Sequence, residues 1–248
     1  MLTFIRGKTL GGSSSINGMM WTRATISQYD ALEKLGNPGW NFASLQEYVP
    51  ALLLEFLFNL SFRYMKKAEQ FHTPDAAQIK LGVLFDPEVH GTSGNVVTGF
   101  PNPYPCPECS ILDTLINTTA SIIPDLRTSG DIDQCSGNPR GSAKTILSIY
   151  PGTSQSPNVR NNTRSSSAQS YLFSLPPTAR PNLVVLVGHR VTRIIWNVTG
   201  QLPRPQGVAF QSQDLLTPAG EMMINVEREV IIAAGTLGVR TFASLWLL

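Results

Sequence analysis

Residues Arg6 to Arg23, RGKTLGGSSSINGMMWTR, constrain this chain more than any other stretch. Glycines stand at Gly7, Gly11, Gly12 and Gly18, serines fill Ser13 to Ser15, and Asn17 precedes Gly18. Lacking a Cβ, Gly11 and Gly12 can take φ > 0 and let another group approach the backbone. The serines add hydroxyls with helix-capping chemistry. A helix opening there would aim unsatisfied N–H groups outward, which suits an anion such as a diphosphate. Spacing alone leaves two readings: a plain Gly/Ser turn, or a site for an anionic ligand.

The 248 residues are enough for one or two domains with a real core, and 42% hydrophobic against 15% charged residues reads as globular. A net charge of +2 gives no basic surface for nucleic acid. The most apolar run, Val49 to Phe58, contains Glu55 and is too short to span a bilayer, so no membrane partner is expected. Cys106 and Cys109 have C-x-x-C spacing, but there is no second pair and His90 is the only histidine nearby. The pattern reads as loop cysteines, with a disulfide to Cys135 left open, rather than as a metal site. Met1 to Ile5 is too short for a secretory leader and is followed by Arg6 and Lys8. Sequons at Asn59, Asn117, Asn161 and Asn197 permit a secreted parent protein, so localisation stays open.

Along the chain, Ser27 to Leu35 has helical spacing and Gly36-Asn37-Pro38-Gly39 ends it. Ser44 with Glu47 reads as a capping box. Val49 to Tyr64 fits neither neighbour: it is apolar on every face and Pro50 interrupts a helix already under way. Removing it would join one helix with Leu45, Tyr48, Met65, Ala68 and Phe71 on a single stripe. A retained intron is one reading, a buried helical hairpin the other. A short helix is expected around Asp75 to Gln78, a His90-Gly91-x-x-Gly94 turn before a strand at Asn95 to Phe100, and an amphipathic helix over Ile111 to Ile123. In that helix Ile111, Leu112, Leu115, Ile116 and Ala120 form the apolar side. DIDQCSGNPR, Asp131 to Arg140, reads as a polar turn. Arg164 to Ala168 opens a helix capped by Ser165 or Ser166. Leu183 to Val187 and Glu229 to Ala234 read as strands buried on both faces. Gly188 to Trp196, Gly207 to Gln211 and Met222 to Val226 read as further strands, with a hairpin turn at Asn197 to Gly200. His90 and His189 read as structural.

KTLGGSSSINGMMWTRA also resembles the first signature of the glucose-methanol-choline (GMC) oxidoreductases, flavoenzymes that bind FAD. Gly11, Gly12, Ser13, Ile16, Asn17, Gly18, Trp21, Thr22 and Arg23 fall in register. GWNFASLQEY and the HG-x-x-G turn extend the resemblance. QCSGNPRG and RSSSA…ARPNLVVLVGHRV lean toward the glucose-oxidase-like branch. The resemblance implies an α/β fold, a partial FAD-binding Rossmann-like domain with an interleaved α+β substrate domain. Residues 1–48 and 65–100 would form the FAD-binding loop region and its following segments, 49–64 a non-native insertion, 101–180 part of the substrate domain, and 181–248 FAD-domain strands with a truncated C-terminal end. FAD would lie along Gly11, Gly12, Ser13, Asn17, Gly18 and Met20, with the backbone of Val191 at its adenine end. Relatives often carry a small polar residue where Met20 stands. The implied substrate is a small-molecule alcohol or sugar.

The chain departs from the family in three places. No G-x-G-x-x-G occurs, the second signature fades near Val239, and none of His72, His90 and His189 matches the family's catalytic base. The expectation is therefore an internal piece of a family member, with no assignable catalytic residue and no metal. Poor autonomous folding and weak or absent FAD binding should follow, because the two buried strands would lack a central neighbour. A non-catalytic or degenerate chain is the alternative. A nucleotide-phosphate protein of another type finds no G-x-x-x-x-G-K-[ST] to support it.

Overall fold

The computed structural model describes residues 5–42, 44, 63–102, 110–123, 144–152, 162–200, 202–214 and 220–244. They belong to two compact units, Met1–Ala179 and Arg180–Leu248.

In the first unit, polar caps set where the short helices start. Helix α1 (Ile26–Lys34) begins at Thr25, whose Oγ1 accepts from Gln28 N–H while Gln28 Oε1 accepts from Thr25 N–H. After it, Gly36 (φ 95°) and Gly39 (φ 82°) turn the chain. The next helical residues open at Phe42, and Asn41 Oδ1 accepts from Ser44 N–H at 2.6 Å. Asn41 is thus the cap and Ser44 lies inside the helix; Glu47 lies outside the described residues. Most of the Val49 to Tyr64 run lies outside them too.

The helical stripe that removing residues 49–64 would carry on to Phe71 does not reach it, because Phe71 is in a strand. Helix α2 (Arg63–Ala68) stops at Ala68, and strand β1 (Glu69–His72) follows directly. Period-two alternation then sends Glu69 and Phe71 to one face, which a helix would not do. Helix α3 (Ala76–Lys80) carries a second capping box, between Asp75 and Gln78. Strand β2 (Val96–Gly99) runs parallel to β1, with Glu69 opposite Val96 and His72 opposite Gly99. Single bridges extend this sheet: Gly99 pairs with Leu147, and Leu147 pairs with Met20. Strands β3 (Ile149–Tyr150) and β4 (Thr163–Arg164) form an antiparallel pair.

The core of this unit is Val83, Phe100 and Ile146, with Trp21, Phe71 and Phe85 packed against it. Helix α4 (Ser110–Ile122) forms over the expected stretch, but Leu115 of its apolar side is 61% exposed. Cys106, Cys109, Cys135 and the DIDQCSGNPR turn lie outside the described residues.

The second unit is an antiparallel meander of β5 (His189–Asn197), β6 (Arg204–Ser212) and β7 (Met222–Asn225), followed by helix α5 (Gly235–Ser244). Asn197 Oδ1 accepts from Thr199 N–H and starts the β5–β6 hairpin turn. Gly207 sits where an added Cβ would stand 3.0 Å from Ile224 O, so the strands approach closely there. His189 Nδ1 lies 2.7 Å from Val187 O and its ring packs edge-on against Phe210.

The two runs expected as buried strands are neither buried nor paired among the described residues. Val184 is 84% exposed and Ile231 79%. A strand that is apolar on both faces needs neighbours on both edges and cover on both faces. The β5–β7 meander pairs only with itself and supplies none of these.

Candidate functional site

The Gly/Ser loop is held by its own sequence and by one distant segment. Gly11 takes φ 83° and Gly12 φ 55°, and Gly12–Ser15 forms a single 3-10 turn. This corrects the expected helix start: Gly11 occupies the cap position with no side-chain cap, and the serines lie within the turn. Ser14 Oγ donates to Gly11 O (2.6 Å) and Ser15 Oγ to Leu10 O (2.8 Å). Gly7 N–H donates to Ser13 Oγ, folding the loop back on itself.

The two paired glycines do different work. A Cβ on Gly11 would stand 3.1 Å from Ala168 Cβ, so Gly11 makes room for the segment behind the loop. A Cβ on Gly12 or on Gly18 would meet nothing within 4 Å. Those positions present bare backbone to open space. Gly18 is not the residue that uses positive φ in the Asn17-Gly18 turn; Met19 does, at φ 65°. Asn17 Oδ1 accepting from Met19 N–H (3.0 Å), and Met19 O accepting from Ser148 N–H (2.8 Å), hold that strained residue. Met20 is 63% exposed.

The segment behind the loop is Arg164 to Ala168. Ser14 and Ser167 hydroxyls lie 2.9 Å apart, Ser167 N–H donates to Ser14 Oγ (3.0 Å), and Ser167 Oγ donates to Gly11 O (3.1 Å). Arg164 Nη1 donates to Ser14 O (3.1 Å) and to Asn17 Oδ1 (2.8 Å). The segment is itself anchored: Ser165 Oγ accepts from Val97 N–H of β2 and bonds Ser170 Oγ, all buried. Ser166 Oγ accepts from Gln169 N–H at the start of the π-helical turn Ala168–Leu172. The sequence marked RSSSA as a helix opening. Its second role, clasping a loop about 150 positions away, has no local signal.

The far end of the loop is fixed by a buried carboxylate, also unsignalled in the sequence. Glu69 is fully buried. Its oxygens accept from Arg23 Nη2 (3.0 Å), Gly91 N–H (3.1 Å) and Thr98 Oγ1 (2.8 Å), and Oε1 lies 3.0 Å from His90 Nδ1. Arg23 Nη1 also donates to Val89 O. Burial alone pushes the Glu69 carboxyl up. The hydrogen bond and charge of His90, with the Gly91 and Thr98 donors, outweigh it and hold the carboxyl below the usual carboxylate range. The His90 ring stacks on Phe71 at 4.0 Å. Among the described residues, no group of three or more His, Cys, Asp or Glu is placed to hold a metal ion, and no helix is long and apolar enough to cross a membrane.

The loop thus gathers Gly11, Gly12, Ser13, Asn17, Gly18 and Met20 in the first unit. Val191 belongs to the second, on β5 opposite Phe210, immediately before a register shift in the ladder. Such a bulge leaves backbone groups outside the regular pairing.

A parallel strand pair with helices beside an open-faced Gly/Ser loop gives the first unit an α/β character. The GMC oxidoreductase family model matches residues 1–92 and 138–241, and the chain belongs to that family. FAD is the cofactor that this family membership implies. Glucose oxidase of Penicillium chrysogenum is 33% identical over 232 residues, 93% of this chain and 32% of that protein. Pyranose dehydrogenase 3 of Leucoagaricus meleagris is 30% identical over 241 residues, 95% of this chain and 33% of that one. Among solved structures, an FAD-dependent oxidoreductase from Chaetomium thermophilum matches with a TM-score of 0.73 at 24% identity, over 97% of this chain and 34% of its own. A fungal aryl-alcohol oxidase matches with a TM-score of 0.61 at 22% identity, over 89% of this chain and 31% of its own. The chain therefore spans about a third of the length of the proteins it matches.

Proposed function

We propose that this chain supplies the flavin-facing loop of an enzyme that oxidises a CH–OH group of an alcohol or sugar. The observation that carries this is the pair of bare backbone positions at Gly12 and Gly18, with open space where a Cβ would stand. They fit the close approach of a large planar and anionic cofactor. Ser13 Oγ, already accepting from Gly7 N–H, keeps its own hydrogen to donate to a diphosphate oxygen. Asn17 faces the flavin edge, and Met20 lines the exposed end of the loop. The Val191 backbone serves the adenine end. When bound, FAD supplies the hydride acceptor; the loop's own task is to hold the diphosphate and exclude water around it.

No residue of the chain is given the role of catalytic base. His90 is committed to Glu69 and Phe71, and His189 lies against Val187 O. Residues 183–187 and 229–234, mostly exposed and in no sheet among the described residues, support the reading that this chain binds FAD weakly by itself. The sugar part of the substrate class rests on the names of the relatives, a glucose oxidase and a pyranose dehydrogenase, and the alcohol part on the sequence resemblance.

Titrating the purified chain with FAD and, in parallel, with riboflavin tests this. Flavin fluorescence should be quenched saturably by the chain for FAD and not for riboflavin, which lacks the diphosphate. Equal responses to both, or none to either up to millimolar chain, would contradict the reading.

A further inference from the structure

We propose that Arg164 is a positioning residue that sets the direction of the Asn17 carboxamide, so that the loop turns N–H donors, and not an acceptor, toward its ligand. The inference rests on the flavin reading of the loop and assigns what Asn17 offers there: a donor pair for an acceptor atom of the flavin ring.

A carboxamide oxygen has two lone pairs. Both are used here, one by Met19 N–H at 3.0 Å and the other by Arg164 Nη1 at 2.8 Å. Flipping the amide would set Nδ2 against both donors, the Met19 N–H and the Arg164 Nη1. The hydrogen-bond network therefore determines which end is which. Asn17 Nδ2 makes no hydrogen bond among the described residues, and Asn17 is exposed beside the open position of Gly18.

Arg164 is mounted to do this. It lies in β4, paired with β3 through Ile149 opposite Arg164, and the next residue, Ser165, is buried against Val97 and Ser170. The same Nη1 that reaches Asn17 also donates to Ser14 O. One guanidinium thus ties the start of the turn to its end. A lysine has a single ammonium on a flexible stem and cannot reproduce that fixed reach.

The test has one arm without flavin. In the unaltered chain, the Asn17 side-chain NH2 pair, identified by its loss in Asn17→Ser, should show the restricted mobility of a held side chain in 15N relaxation. Arg164→Gln and Arg164→Lys should both release it to the mobility of a free side chain, while the Trp21 and Ser148 backbone amides keep their positions and so report an intact fold. An unchanged Asn17 pair in both variants overturns the proposal.

The second arm reads FAD affinity by fluorescence quenching. Arg164→Lys should weaken it about tenfold, the scale of one charge-assisted hydrogen bond. The same change in an Asn17→Ala background should add nothing. Asn17→Asp should keep the Arg164 pairing, raise thermal stability and still lose FAD affinity, because a carboxylate has no donor. Undiminished FAD affinity in Asn17→Asp, or additive losses in the cycle, overturns the donor assignment. If the unaltered chain shows no FAD binding while Arg164 controls the Asn17 pair, the orienting role is supported and it is the flavin reading that fails.

Discussion

The Gly/Ser loop and the two β-branched runs stand at opposite ends of one physical scale. The loop is mostly glycine and polar residues; hydrogen bonds from Ser167, Arg164, Ser148 and Gly7 hold it, and Trp21 leads it into the core. Leu183 to Val187 and Glu229 to Ala234 are among the most apolar stretches, yet they are exposed and pair with nothing among the described residues. A polar bend can close its hydrogen bonds with whatever donors lie nearby. A strand that is apolar on both faces cannot, because its stability comes from ladders and layers that other segments must provide. Order in this chain therefore follows where partners are present rather than where hydrophobicity is highest.

If that contrast is right, the largest loss comes from the buried carboxylate. Glu69→Ala leaves the Arg23 guanidinium and His90 buried without their partner and should cost about 3–5 kcal/mol, read by urea denaturation. A change under about 1 kcal/mol would mean that the Glu69 cluster does not anchor the loop.

The same group predicts an acid dependence. Its folded carboxyl lies below the value it takes when unfolded, so between the two the unfolded chain binds more protons. Its contribution is complete above the ordinary carboxylate range and falls away as pH drops through and below about 4. Denaturation midpoints should fall over that interval in the unaltered chain and fall less steeply in Glu69→Gln.

Ser167→Ala removes the hydroxyl that donates to Gly11 O and should cost about 1 kcal/mol in thermal unfolding. Val184→Lys and Ile231→Lys should have the smallest effect, within about 0.5 kcal/mol, because the residues already face solvent. A large loss in either lysine variant would show that these runs are buried in solution and would erase the contrast.

The short elements were legible because their signals are local. Helical spacing marks Ser27 to Leu35, and partial alternation marks Gly188 to Trp196; the capping boxes of Thr25 with Gln28 and Asp75 with Gln78 are local signals too, although the box expected from the sequence was that of Ser44 with Glu47. The failures are tertiary. Phe71 has helical spacing from Met65 and Ala68, but parallel pairing with β2 and the donors around Glu69 put it in a strand. The 183–187 and 229–234 runs read as buried from composition, and composition does not say whether neighbours exist. At the site, the sequence marked Gly11 and Gly12 as places where another group could approach; Gly12 has open space there, while Gly11 is backed by Ser15 and Ala168. The clasp by Arg164 and Ser167 did not, since nothing within RSSSA points to residues about 150 positions away.

The most direct test of the loop's role is Gly18→Val. Gly18 does not use positive φ and an added Cβ meets nothing within 4 Å, so the substitution is expected to leave the fold intact, whereas Gly12→Val would also strain a backbone at φ 55°. The account predicts an unchanged melting curve and a loss of FAD affinity of at least about tenfold, measured by flavin fluorescence. An unchanged melting curve with FAD affinity equal to that of the unaltered chain would contradict it.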